Sequence, residues 1–244
     1  MPNIYLSPST QEFNQYINGG TEEEYANLIA DYMIPYLNAS GITYTRNTPD
    51  MTAASSIRAS NAGNYDLHLA IHSNAAGSGN EGEIRGSIAF YYPTSSDGQR
   101  AAEIIANNFK LIYPEPSLVS ARPTTSLGEV SRTRAPSVLF EIAYHDNLQD
   151  ATWIKNNLRD IARNISLSLT DYFDIPFVVP QPERIGTVTA TALNIRTRPN
   201  TNSPIIETVP QGTTLTILGS ADGWYTVRRG NTSGFVSSQY VTLD

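Results

Sequence analysis

At 244 residues and 26.7 kDa the chain is long enough for one large domain, or for a medium domain and a small one. Hydrophobic residues make up 40% and charged residues 16%, and no run reaches about 18 apolar residues, which excludes both a disordered chain and a helical membrane span. A net charge of −7 argues against nucleic acid as a partner, and the absence of Cys removes disulfides, thiolate metal sites and a cysteine nucleophile, leaving three His to be accounted for.

In chain order, Met1–Ser7 lacks a basic region followed by an apolar stretch, so no secretory leader is expected at this end. Asn3–Leu6 reads as a first strand. The loop through Gly19-Gly20 leads to Thr21-Glu-Glu-Glu24, a capping box in which Thr21 and Glu24 satisfy each other's backbone donors and start a helix. That helix buries Ile29, Met33, Tyr36 and Leu37 at helical spacing, ends near Gly41 and hands over to a strand at Ile42–Thr45. Leu67–His72, Gly86–Tyr92 and Ser137–Ile142 are further strands, with a helix from about Gln99 to Tyr113 between the last two. Ile154, Leu158, Ile161, Ile165 and Leu169 mark one last helix covering a sheet face. The expectation is an α/β domain over residues 1–173, with a mixed, mostly parallel sheet flanked by helices.

Composition changes near Phe173. Pro176, Pro180 and Pro182 deny residues 174–185 a helix or central strand and favour an extended linker. Residues 186–244 are short Thr- and Val-rich runs broken by Gly, Pro or Asn, which suits a small all-β barrel with alternating Leu193/Ile195, Leu215/Ile217 and Tyr225/Val227. Residues 1–185 hold 12 basic and 20 acidic side chains, a net −8, and the remainder 4 and 3, a net +1.

Three segments put metal-competent groups at strand or helix ends: Glu22-Glu-Glu24, His72-Ser-Asn74, and Glu141 through Asn147. In α/β sheets such ends face one crevice. A His and a carboxylate form a partial zinc shell when Cys is absent, and a second carboxylate off the metal suits a general base. Each also has a plainer reading. The Glu run complements a helix dipole, His72 can be a hydrogen-bonded sheet-end His, and Asp146-Asn147 reads as a turn or helix cap. Glu141 is harder to explain that way, because a carboxylate among Val138, Leu139, Phe140 and Ile142 is costly unless paired or used. Tyr65, Tyr91, Tyr92 and Tyr144 could line a groove, but core packing accounts for most aromatics.

Ala70-Ile-His-Ser-Asn74 after a strand, Glu23 before Asn27-Leu-Ile-Ala30 on a helix, and Pro136 to Asn147 with its Phe-Glu-Ile core resemble, in order, the motifs of zinc-dependent N-acetylmuramoyl-L-alanine amidases of bacterial cell-wall hydrolases. The resemblance spans roughly residues 3–172. It implies Zn²⁺ as cofactor, Glu23 and His72 as zinc ligands, Glu141 as the catalytic glutamate, and peptidoglycan as substrate, cut between the lactyl group of N-acetylmuramic acid and L-alanine. The family's first ligand, a His in a Pro-Gly-His-Gly type turn, is missing: the turn here reads Ser7-Pro-Ser-Thr-Gln11, with Thr10 at the His position and Gln11 offering only an amide. His68 stands four residues before His72 in one strand, so their Cα atoms are roughly 13 Å apart, too far to share a metal. His145, on a loop leaving a strand, is the candidate third ligand.

Gly186–Asn200, Gly212–Leu218, Gly223–Val227 and Gly234–Val241 resemble bacterial SH3-type domains, which implies a wall-binding module with Trp224 and Tyr225 as contacts or core. The expectation is a cell-wall amidase tethered to its substrate and working outside the membrane, as an autolysin or as a phage lysin that needs no leader. The missing His motivates one alternative, a metal-free, non-catalytic wall-binding protein.

Overall fold

The computed structural model describes residues 1–244, which divide into two units: residues 3–33 with 44–172, and residues 1–2 with 34–43 and 173–244. In the first, strands β1 (Asn3–Pro8), β2 (Thr43–Arg46), β3 (Leu67–Asn74), β4 (Ser87–Tyr91), β5 (Val119–Pro123) and β6 (Ser137–Tyr144) make a sheet of order β2-β1-β3-β6-β4-β5. β1, β3 and β6 run parallel, β4 is antiparallel to β6, and β5 is parallel to β4. The apolar residues of the three parallel strands are sealed, with Ile4, Leu6, Leu69, Ile71, Val138 and Phe140 at 0% exposure, which fits strands covered on both faces.

Helix α1 (Glu22–Ser40) starts where the capping box places it, Glu24 N–H donating to Thr21 Oγ1 at 3.1 Å. It stops at Gly41, whose φ of +77° only glycine adopts freely. Helix α2 (Ala53–Ala62), capped by Thr52 and Ser55, and the single turn α4 (Gly128–Ser131) were not expected from the sequence. Helix α3 (Ser96–Phe109) precedes β5. The expected last helix is two, α5 (Leu148–Asn156) and α6 (Leu158–Phe173). Asn157 breaks the ladder at φ −125°, ψ 20°, its Nδ2 turned back onto Trp153 O. Ile154, Ile161, Ile165 and Leu169 remain buried across the break.

In the second unit, β7 (Arg184–Val188), β8 (Ala192–Arg196), β9 (Ile205–Pro210), β10 (Thr214–Ala221), β11 (Trp224–Arg229), β12 (Thr232–Ser237) and β13 (Val241–Leu243) pair antiparallel in the order β13-β7-β10-β11-β12-β8-β9. Val188, Leu193, Ile195, Val209, Leu215, Ile217, Val227, Val236 and Val241 fill its core. Residues 175–183 before it have neither helix nor strand.

Candidate active site

Because β1, β3 and β6 are parallel neighbours, their carboxyl ends open on one edge of the sheet, where α/β sites form. His72 and Glu141 are register partners on β3 and β6 and so share one face. Just beyond them the register slips: two steps along β3, from His72 to Asn74, oppose three along β6, from Glu141 to Tyr144. Such a bulge re-aims side chains at a sheet end.

Glu22, the first residue of α1, comes down onto His72: Nδ1 lies 2.7 Å from Glu22 Oε1. Glu22 is 1% exposed, and its other oxygen accepts from Asn14 Nδ2. Gln11, from the turn after β1, brings Nε2 to 3.2 Å from the same Nδ1, and its Oε1 accepts from Asn14 Nδ2. On the far side of the ring His72 Nε2 lies 3.0 Å from Glu129 Oε2. Burial by itself lowers the His72 pKa, but hydrogen bonds and charge from Glu129 and Glu22 outweigh it and hold the ring well above its ordinary value. Burial raises Glu22 and Glu129 in turn, and hydrogen bonding to histidine overrides it, so both carboxyls sit below the usual range. Glu141 has no such partner. Its Oε2 is buried and unbonded, and desolvation, reinforced by the negative Glu22 and Glu129 and opposed by His72, pushes it up to about 7.

The structure brings together His72 and, in the same register, Glu141; it does not bring Glu23 or His145 to them. Glu23 lies one helical step from Glu22, about 100° round the axis, and its Oε1 accepts from Asn27 Nδ2 at 3.2 Å. His145 Nδ1 donates to Ser73 O at 2.9 Å and the ring stacks on Tyr16 at 5.6 Å between centroids. With His145 N–H on Asn74 O and Ile17 N–H on His145 O, this histidine clasps the end of β3 to the loop before α1. Asn147 caps α5 through Gln149 N–H and Asp150 N–H. Sequence reasoning missed Glu129, on a single helical turn with no periodic signal, and within the Glu22–Glu24 run it singled out Glu23 rather than Glu22.

A family model described as N-acetylmuramoyl-L-alanine amidase matches residues 10–171, well over half of the chain and all of the site just described. The chain belongs to the N-acetylmuramoyl-L-alanine amidase family.

Solved amidases share the fold. The amidase AmiC2 of Nostoc punctiforme superposes with a TM-score of 0.61 at 15% identity, over 71% of this chain and 97% of that one. The catalytic domain of CwlV from Bacillus (Paenibacillus) polymyxa var. colistinus gives 0.62 at 16%, over 72% and 100%. The catalytic domain of the CD27L endolysin, which targets Clostridia difficile, gives 0.58 at 18%, over 70% and 98%. Among curated proteins no sequence relative matches.

A bacterial SH3 domain model matches residues 191–242 of this amidase. There Trp224 is part of a groove of about 190 Å³ with Asn194, Arg196, Ser237, Gln239 and Tyr240. Tyr225, its neighbour on β11, packs against the barrel core. The family and the accessory domain together make this a peptidoglycan amidase with a cell-wall-binding module, and no helix is long and apolar enough to cross a membrane.

Proposed function

We propose that the amidase is zinc-dependent, with His72 Nδ1, Glu22 and Gln11 holding the metal and Glu141 moving the proton. The observation that carries the reading is the convergence on one ring nitrogen: Glu22 Oε1 at 2.7 Å and the Gln11 amide at 3.2 Å from His72 Nδ1. Gln11 is the third side chain at that nitrogen, on the turn where the family's first His is missing. A half-turn of its amide, with Asn14 giving up its bond to Oε1, exchanges Nε2 for Oε1, a neutral oxygen ligand. One imidazole nitrogen, one carboxylate and one amide fit a cation that takes mixed N and O ligands, more weakly than a set with two imidazoles.

When bound, zinc supplies Lewis acidity at the lactyl carbonyl and acidifies water beside it. Glu22 and His72 orient that centre from the helix start and the strand end. Glu141 accepts the proton of the attacking water on its unbonded Oε2 and delivers it to the departing alanine amine, a shuttle suited to a carboxyl poised near neutrality. In the barrel, the groove at Trp224 takes the wall ligand, and the site of action is extracellular, at the wall.

The test is hydrolysis of insoluble wall, read as new alanine amino termini, with zinc supplied and with zinc chelated. Activity that needs zinc and disappears in Glu141→Gln upholds the reading; activity indifferent to chelation overturns the metal.

A further inference from the structure

The two histidines of β3 are too far apart to share a metal, yet they share a carboxylate. Glu129 Oε2 takes His72 Nε2 at 3.0 Å, and Glu129 Oε1 takes His68 Nε2 at 3.3 Å together with the hydroxyl of Ser7. His68 is itself fixed, its Nδ1 2.9 Å from Ser60 Oγ and its ring stacked on Tyr5 at 5.3 Å between centroids. Ser7 is fixed by Ser56, with 2.7 Å between the hydroxyls. All of these groups are buried: His68 is 0%, Ser7 1%, Ser56 1%, Ser60 2% and Glu129 5% exposed. A carboxylate held at one oxygen by β1 and β3 has its second oxygen aimed at one place, and His72 Nε2 occupies it.

We propose that Glu129 is a positioning residue of the active site. By accepting the Nε2–H of His72 it fixes the ring's rotation, so that Nδ1 is the nitrogen turned to Glu22 and Gln11. The His68–Ser60–Ser7–Ser56 cluster is the mount that holds Glu129. A histidine ligand gains from such a partner because an acceptor on the distal nitrogen orients the ring and strengthens the proximal one as a donor. With only a neutral amide where a second imidazole is missing, the orientation of His72 carries more of the binding than in a fuller ligand set. This rests on the metal reading above.

The test uses the full chain with Glu129→Leu, Glu129→Asp, Glu129→Gln and, as a control on the mount, Ser60→Ala. Zinc affinity is measured by competition with a chromophoric chelator, and the His72 ring N–H proton is followed by NMR in the metal-free protein, where three histidines give three ring systems. Leu removes the acceptor and Asp draws it back by one methylene, so affinity falls roughly 10- to 100-fold in both and the hydrogen-bonded ring proton is lost. Gln retains an acceptor oxygen and stays close to wild type; Ser60→Ala, which only loosens the mount, loses less than Leu or Asp. The Asp variant keeps the test alive where Leu fails to fold. Wild-type affinity in both Leu and Asp overturns the proposal, and so does an equal loss in all four variants, which reports core damage alone. If the wild-type chain takes up no zinc, the metal reading falls by itself, and the ring proton decides: its loss in Leu and Asp with retention in Gln upholds Glu129 as the positioning residue, and its persistence in Leu overturns it.

Discussion

Glu141 is a carboxylic acid in the position of an apolar residue, flanked in β6 by Phe140 and Ile142 and left with a buried, unbonded oxygen. Its ordinary value of 4.5 applies to the unfolded chain and its value of about 7 to the folded one. Between those two pH values the folded state keeps a proton that the unfolded state has lost, so stability declines as pH rises through the window. The deficit is fully present above pH 7 and amounts to about 3 kcal/mol. Glu141→Gln has no such deficit. In the metal-free chain its urea stability should match wild type near pH 4 and exceed it by up to about 3 kcal/mol near pH 8, while hydrolysis falls by roughly a factor of 100 or more. An enzyme that loses its reaction and gains stability in one substitution is what a strained general base predicts; a variant equally stable at both pH values would remove the desolvation argument. The neighbouring choice between Glu22 and Glu23 was not legible. Ala26, Ile29, Ala30, Met33 and Leu37 are the buried stripe of α1, and both residues are in phase with it, Glu22 four before Ala26 and seven before Ile29, Glu23 three before Ala26 and seven before Ala30. The family resemblance points to Glu23; the contact with His72 points to Glu22. Elemental analysis should find zinc retained in Glu23→Gln and lost in Glu22→Gln.

At the scale of elements, the strands and long helices were legible because their side chains repeat: β3 and β6 as apolar runs, α1 by its capping box, α6 by its stripe. What was not legible lacks repetition. The turn α4 contributes Glu129 through four residues, too few for any period, and its partners lie 57 and 61 positions away at His72 and His68. The break between α5 and α6 hinges on one Asn, whose side chain competes for backbone only once the flanking helices are placed. Asp150 shows how such elements are tied down. It is 0% exposed and accepts from Arg85 Nε, Tyr113 Oη, Gly86 N–H and Tyr144 N–H, joining the first turn of α5 to the start of β4 and the end of β6. Gly86 is fixed from another side: at φ +121° a Cβ there would lie 2.6 Å from Leu118 O. Asp150→Ala strands a buried Tyr hydroxyl and two backbone donors beside a half-sealed Arg, so we expect a loss of about 3–5 kcal/mol in denaturant unfolding. A loss below about 1 kcal/mol would mean that water replaces the carboxylate.

At the scale of the whole molecule, chemistry and attachment are separate properties of one chain. The amidase match ends at residue 171 and the SH3 match begins at 191, and the acidic side chains concentrate before the barrel, 20 of 23 within residues 1–185. An insoluble substrate makes the second property matter. A module that stays on the wall raises the local concentration of scissile bonds without adding a contact to the active site, and effective concentrations of tethered partners reach the millimolar range. The gain therefore belongs to insoluble wall and vanishes for a soluble muropeptide. Trp224, in the groove with Arg196 and Tyr240, is the aromatic surface we propose for such binding, whereas Tyr225 on the opposite side of the strand packs into the barrel. Trp224→Ala should reduce sedimentation with purified wall by roughly tenfold, the size expected for removing one aromatic anchor. Hydrolysis should fall on insoluble wall far more than on a soluble muropeptide, so that the ratio of the two rates drops with it. Tyr225→Ala should instead lower the barrel's melting temperature, with binding lost only as the barrel unfolds. If the rate ratio is unmoved by Trp224→Ala while wall binding is gone, attachment does not set the rate, and the barrel's contribution is to choose which wall is cut rather than how fast.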